Sequence, residues 1–268
     1  MSNSSVRSVK HGAITVISLF RPETKNSVDR ETAAELSQAF RDFESDDTSP
    51  VAVLYGEGGT FCSGADLKAI GSPRVNRVEP SGDGPMGPTR MRLCKPTIAA
   101  ITGYAVAGGL ELALWCDLRV IDKTAVFGVF CRRWGVPLID GGTIRLPRLI
   151  GESRALDLTL TGREVGAEEA LSIGLANRLV ETGTVLQKSI ELAEQIAQFP
   201  QVAMRNDRLS TLEQSGMTVE DAMYNEFTHG LVSLSDGVIL PMVRPEDIFP
   251  SPEVNSGPSE QVDSSGTG

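Results

Sequence analysis

Histidine is almost missing from this chain of 268 residues, with only His11 and His229 present. Neither stands near a candidate motif, so no Ser-His-Asp arrangement can be assembled and both read as structural. Cysteine is scarce too. Cys62, Cys94, Cys116 and Cys131 lack the paired spacing of zinc ligands and any secretory context, which fits a reducing, cytoplasmic compartment. Positive charge is in deficit. Lys and Arg number 25 against 35 Asp and Glu, a formal net charge of −10 that argues against nucleic acid as the main partner. An anionic ligand stays possible, because local donors override net charge. No apolar run is long enough to span a bilayer, and Met1-Ser2-Asn3-Ser4-Ser5 begins no signal peptide. Aromatics are few, yet 40% hydrophobic residues make a globular composition, and the length fits one sizeable domain with room for a small appendage.

Glycine is not scarce, and two glycine-rich stretches organise the reading. The first is Gly103-Tyr104-Ala105-Val106-Ala107-Gly108-Gly109-Leu110-Glu111. It follows an apolar run over 97–102 that reads as a buried strand, and it opens a short helix. The first N–H groups of a helix lack intrahelical partners, and the helix dipole adds partial positive charge there. A ligand oxygen gaining negative charge is stabilised at such a place. Glu111 stands three residues after Gly108, about one turn on, so its carboxylate can move a proton beside that donor. Taken alone, the pattern is equally that of a tight turn and a solvated Glu.

The second stretch, Gly56-Glu57-Gly58-Gly59-Thr60-Phe61-Cys62-Ser63-Gly64-Ala65-Asp66-Leu67-Lys68, follows a strand-like run over 51–55. Small residues at Ser63, Gly64 and Ala65 let the backbone approach a ligand, and the Ala65 N–H is a candidate second donor. Two converging backbone donors are what an enolate or tetrahedral oxyanion needs.

With both stretches in this order, the chain resembles the crotonase (enoyl-CoA hydratase/isomerase) superfamily. Phe61-Cys62-Ser63-Gly64-Ala65-Asp66-Leu67-Lys68 and Gly108-Gly109-Leu110-Glu111-Leu112-Ala113 carry the match, which continues through Phe127-Gly128, Gly141-Gly142-Thr143, Arg145-Leu146, Leu160-Thr161-Gly162-Arg163 and Gly174-Leu175-Ala176, over roughly 9–203. The resemblance implies an α/β fold, a spiral of repeated β-β-α units over 1–200, a C-terminal helical oligomerisation region over 201–249, and a disordered tail over 250–268. It implies chemistry on an acyl-CoA thioester held between the N–H groups of Ala65 and Gly108, with Glu111 as acid/base. Lys25, Ser63, Gly64, Asp66 and Leu67 fall where the family contacts substrate or coenzyme A. No metal or prosthetic group is implied, coenzyme A being part of the substrate. A homotrimer or hexamer is the expected assembly.

Along the chain, a β-branched run over 13–20 reads as a strand, broken at Arg21-Pro22. By the resemblance, Arg21 and Lys25 face coenzyme A phosphates; otherwise they are solvated. Asp29 is placed to cap the next helix. The stretch 70–90 is rich in Gly, Pro and Ser, lacks periodicity and reads as a mobile loop that shapes the acyl pocket in this family. Arg90, Arg92 and Lys95 follow on an expected helix and read as solvated charges. Helices are expected over 145–158 with interruptions at Pro147 and Gly151, and over 166–173, 185–198, 202–212 and 219–234.

The chain departs from the hydratase pattern at one place. Hydratases of this family use a second glutamate in a Phe-Gly-x-x-Glu pattern, and here Phe127-Gly128-Val129-Phe130 is followed by Cys131. The thiol is a proton donor, a nucleophile or a space-filler. Asp140, just before Gly141-Gly142, matches a functional aspartate of dienoyl-CoA isomerases and some aryl-CoA dehalogenases; the bland alternative is a helix cap. Arg132 and Arg133 are candidates to bind a carboxylate of the substrate, Glu111 or Asp140. The leading expectation is an enoyl-CoA hydratase-like enzyme. Enoyl- or dienoyl-CoA isomerisation through Glu111 and Asp140, and acyl-CoA binding without turnover, are the alternatives. RNA binding is disfavoured by the negative charge and the absence of a lysine-rich helix.

Overall fold

The computed structural model describes residues 4–235. Strands β1 (Val6–His11) and β2 (Ile14–Leu19) form a hairpin around Gly12, whose φ of +59° suits glycine. Helix α1 (Arg30–Ser45) follows, capped as expected by Asp29, whose side chain accepts from the Thr32 N–H. Then come β3 (Val51–Gly56), β4 (Thr97–Ile101), β5 (Tyr104–Val106) and α2 (Gly108–Trp115). The next turn of chain supplies β6 (Leu118–Asp122), β7 (Val126–Gly128), α3 (Gly142–Ile150) and α4 (Glu152–Thr161). Last are β8 (Val165–Gly166), α5 (Ala167–Ser172), β9 (Arg178–Val180), α6 (Val185–Ala197), α7 (Gln201–Glu213) and α8 (Val219–Ser235).

Two sheets run side by side. The larger has the order β1-β2-β3-β4-β6-β9, parallel beyond its first hairpin; the smaller has the order β5-β7-β8. Each turn of chain lays one strand on the larger sheet and one segment on the smaller side: β4 is followed by β5 and β6 by β7. After β3 the equivalent segment is a single bridge, Cys62 to Ala105. This is the expected α/β spiral. The central strands of the larger sheet are buried on both faces, β2 and β4 throughout, because helices cover the sheet on either side, while the edge strand β1 is mostly exposed. One core fills the space between the two sheets, α1 and α2; a second lies between the larger sheet and α6.

Two local expectations are corrected. Pro147 lies inside α3 rather than interrupting it, since a proline removes only one N–H from a nine-residue helix, and the break falls at Gly151, φ +82°. No helix carries Arg92 and Lys95; only a 3-10 turn, Pro88–Arg90, forms there. The tail expected over 250–268 lies outside the described residues.

Candidate active site

The two glycine-rich stretches meet. An added Cβ at Gly64 would lie 2.9 Å from the Gly108 nitrogen, so the Ser63-Gly64-Ala65 backbone runs directly against the start of α2. Gly64 has a φ of +95°, which a side chain would resist twice over. Bridging hydrogen bonds hold the pair: Cys62 N–H donates to Tyr104 O, and Val106 N–H donates to Cys62 O. Ala65 pairs with Val28 through its neighbours' groups, Val28 N–H donating to Gly64 O and Asp66 N–H to Val28 O. That pattern leaves the Ala65 N–H turned away from the bridge. Gly108 is the first residue of α2, and its N–H likewise has no acceptor among the described residues. Ala107 before it is a non-glycine residue at φ +52°, ψ −125°. Such a conformation costs about 1–3 kcal/mol and persists only where its surroundings demand it.

Glu111 lies one turn further along α2 and is 2% exposed. One oxygen, Oε1, accepts from the N–H groups of Asp140 (2.9 Å) and Gly142 (2.8 Å), so the start of α3 fixes the carboxylate. Gly142 packs closely on the carboxylate, since an added Cβ would stand 3.0 Å from Glu111 Oε1 and press it out of place. Oε2 has no hydrogen-bond partner among the described residues. Burial pushes the Glu111 pKa up to about 7, opposed by the Gly142 hydrogen bond and assisted by the Asp140 charge.

Asp140 is also buried and does not cap α3, whose N-cap is Gly141. Its Oδ1 accepts from the Thr89 hydroxyl and from the Met86 N–H (3.0 Å). Burial raises its pKa, with those two hydrogen bonds working against the rise. Arg145 closes the ring, its guanidinium donating to Asp140 O (2.9 Å) and Thr89 O (2.7 Å). Cys131 is buried on a 3-10 turn, Phe130–Trp134, and its thiol pKa is raised by burial and by the Glu111 charge. A raised thiol stays protonated at neutral pH, which disfavours the nucleophile reading.

The remaining candidates make other contacts. Arg132 donates to Thr159 O, while Arg133 donates to Gly162 O and stacks on Phe130, so neither arginine holds Glu111 or Asp140. Arg21 pairs with Asp66 (3.0 Å) and Asp29 (3.5 Å) rather than standing as a solvated charge. Asp66 itself is buried in that pairing. Lys25 is exposed over the Tyr104 ring, Leu67 is exposed, and Ser63 lies against Thr24 and Lys25. Lys95 is buried rather than solvated and donates to the carbonyls of Phe43 and Asp46, where it ties off the end of α1.

The stretch 70–90 is not loop throughout. Residues 84–89 are buried, with Gly84 and Gly87 exchanging two backbone hydrogen bonds in a tight turn. Met86 and Thr89, which hold Asp140, were not signalled by the sequence, and neither was the role of Arg145. A Thr followed by Arg in a Pro- and Gly-rich segment carries no periodicity to read. Among the described residues no group of three or more His, Cys, Asp or Glu side chains is placed to hold a metal ion, and no helix is long and apolar enough to cross a membrane.

The chain is similar to known proteins over most of its length. The family model described as enoyl-CoA hydratase/isomerase matches residues 9–230. The chain is 37% identical over 224 residues to the probable enoyl-CoA hydratase 2, mitochondrial, of Arabidopsis thaliana, covering 80% of this chain and 74% of that protein. It is 34% identical over 222 residues to the carnitinyl-CoA dehydratase of Escherichia coli K12, covering 82% and 85%. A crystal structure of an enoyl-CoA hydratase from Mycobacterium tuberculosis H37Rv superposes with a TM-score of 0.81 at 33% identity, covering 88% of this chain and 97% of that one.

Proposed function

Because the chain belongs to the enoyl-CoA hydratase/isomerase family, within the crotonase superfamily of acyl-CoA enzymes, we propose that it catalyses reversible addition of water to a 2-enoyl-CoA thioester, with Ala65, Gly108, Glu111 and Asp140 as its working parts. The observation that carries this is the meeting of two unpaired N–H groups with a buried carboxylate one helical turn away. The thioester oxygen takes the place between Ala65 N–H and Gly108 N–H. Charge drawn onto it in the enolate is stabilised by both donors and by the start of α2.

The free oxygen of ionised Glu111 accepts a proton from water as the water oxygen bonds to Cβ. Protonated Asp140 delivers a proton to Cα as the enolate collapses. The product gains one H₂O, and the proton left on Glu111 returns to Asp140 through solvent. A Glu111 pKa near 7 keeps both its forms available at neutral pH, and burial favours the protonated form of Asp140. In this reading Cys131 stands where hydratases carry a second glutamate, and Asp140 takes over the acid role.

The same pair supports a second reading, favoured by that cysteine: one carboxylate removes a proton from the acyl chain and the other returns it elsewhere, moving a double bond without water. Binding without turnover is the third. Lys25, Ser63, Gly64 and Leu67 are proposed to line the coenzyme A path. Nothing in this scheme calls for a cofactor beyond the coenzyme A of the substrate. The exposed apolar side chains Met223, Tyr224, Phe227 and Leu231 of α8, and a cavity of about 490 Å³ lined by α2, α3 and α7, support subunit contacts in a homotrimer or hexamer. Four free thiols favour a reducing, cytoplasmic setting.

Crotonyl-CoA and a dienoyl-CoA, each incubated with purified protein and followed by absorbance and mass, separate these readings. Gain of one water from crotonyl-CoA supports hydration. Unchanged mass with shifted absorbance selects isomerisation. No change with either points to an unusual acyl-CoA substrate or to binding alone, and coenzyme A affinity is then measured.

A further inference from the structure

Met86 has contacts at both ends of the site. Its N–H donates to Asp140 Oδ1 at 3.0 Å. Its side chain lies over Gly108, where an added Cβ would stand 2.6 Å from Met86 Sδ, 2.8 Å from Cγ and 3.1 Å from Cε. The thioether therefore lies between the Gly108 amide and the backbone that holds Asp140, and the residue is 1% exposed.

Its backbone is pinned from several directions. Gly84 and Gly87 exchange hydrogen bonds at 2.9 Å around Pro85-Met86. Asn76 Nδ2 donates to Pro85 O at 2.9 Å and to Val28 O at 3.0 Å. Gly87, at φ +93°, packs so tightly on α1 that a Cβ would lie 2.6 Å from Ala33 O. A fixed backbone carrying a long, soft, rotatable side chain gives a wall whose position is set and whose depth depends on one residue.

Building on the acyl-CoA reading above, we propose that Met86 is the residue that sets how long an acyl chain the site accepts, its thioether closing the pocket between the Gly108 amide and Asp140. Removing its last heavy atoms opens room for further methylenes, and discrimination by an apolar wall is worth roughly tenfold or more per methylene.

The test is calorimetric binding of butyryl-CoA and decanoyl-CoA, saturated thioesters that cannot be hydrated, to wild type, Met86→Ala and Met86→Val. The expected result is a shift of about tenfold or more in the affinity ratio towards decanoyl-CoA for Met86→Ala and a smaller shift the same way for Met86→Val, with free coenzyme A bound equally by all three. Circular dichroism checks folding, and the milder Val variant carries the test if Ala does not fold. An unchanged ratio in a folded variant, or equal weakening of both ligands, overturns the role of Met86 while leaving the acyl-CoA reading intact. Failure of wild type to bind either thioester or coenzyme A overturns the acyl-CoA reading and this inference with it.

Discussion

The two sides of the site are built in different ways. The donor side is backbone: Ala65 and Gly108 bring N–H groups, and glycines at 64 and 109 allow the chains to touch. The carboxylate side is assembled from afar. Asp140 is held by Met86 and Thr89, 54 and 51 residues away, and Glu111 by two N–H groups 29 and 31 residues away. Each backbone donor needs only a local conformation, which a short motif can specify, and the bridge between Cys62 and Ala105 brings the two motifs together. A carboxylate with a raised pKa needs burial, and burial depends on the whole fold.

Perturbing each side separately should therefore produce different signatures. Glu111→Gln should have the largest effect, lowering kcat by roughly 10²–10⁴-fold, the usual contribution of a general acid/base, while acyl-CoA affinity stays within a few-fold. Steady-state kinetics beside calorimetry decide this; parallel loss of binding would assign Glu111 a structural task instead. Gly64→Ala should cost about 10²–10³-fold in kcat, since it displaces a donor without touching either carboxylate. Its pH profile should keep the wild-type shape, and a shifted profile would mean that the two sides are not separable.

Thr89→Val comes next, with a drop of about tenfold, because one hydrogen bond to the charged form of Asp140 is lost. Removing a donor that lowers the pKa should move the Asp140 limb of the pH–rate profile upward. A profile that does not move would separate Thr89 from Asp140 function.

The smallest effect concerns stability. Folded Glu111 titrates near 7 against an ordinary value of 4.5, so between those values the folded state holds a proton that the unfolded state has released. Stability therefore falls as pH rises through that window, and the cost is fully present above it. Glu111→Gln keeps the acceptor oxygen and removes the charge. It should be more stable than wild type by on the order of 1–3 kcal/mol at about pH 8, and equal to it near pH 4. Thermal melts at the two pH values read this out, and a variant less stable at both would contradict the raised pKa.

The same contrast explains what could be read in advance. The strand over 97–102, the helix start at Gly108 and the candidate base Glu111 were legible, because strand, turn and helix follow one another within about fifteen residues. Charges were the least legible. Arg21 pairs with Asp66, Lys95 is buried against carbonyls, and Arg132 and Arg133 turn to Thr159 and Gly162. The chain sequence gives the sign of each charge but not the partner the fold supplies. The turn at Gly84–Thr89 reads as loop in sequence because nothing in its pattern repeats, yet it is buried and holds one of the two carboxylates.

In the proposed mechanism the Ala65 and Gly108 N–H groups polarise a thioester carbonyl beside Glu111. Difference infrared spectroscopy of a bound acyl-CoA labelled with ¹³C at the thioester carbonyl tests it most directly. The stretch should move to lower frequency on wild type and on Glu111→Gln, and return towards its solution position on Gly64→Ala. An unshifted carbonyl on a wild-type protein that binds the ligand would mean that these N–H groups do not polarise it.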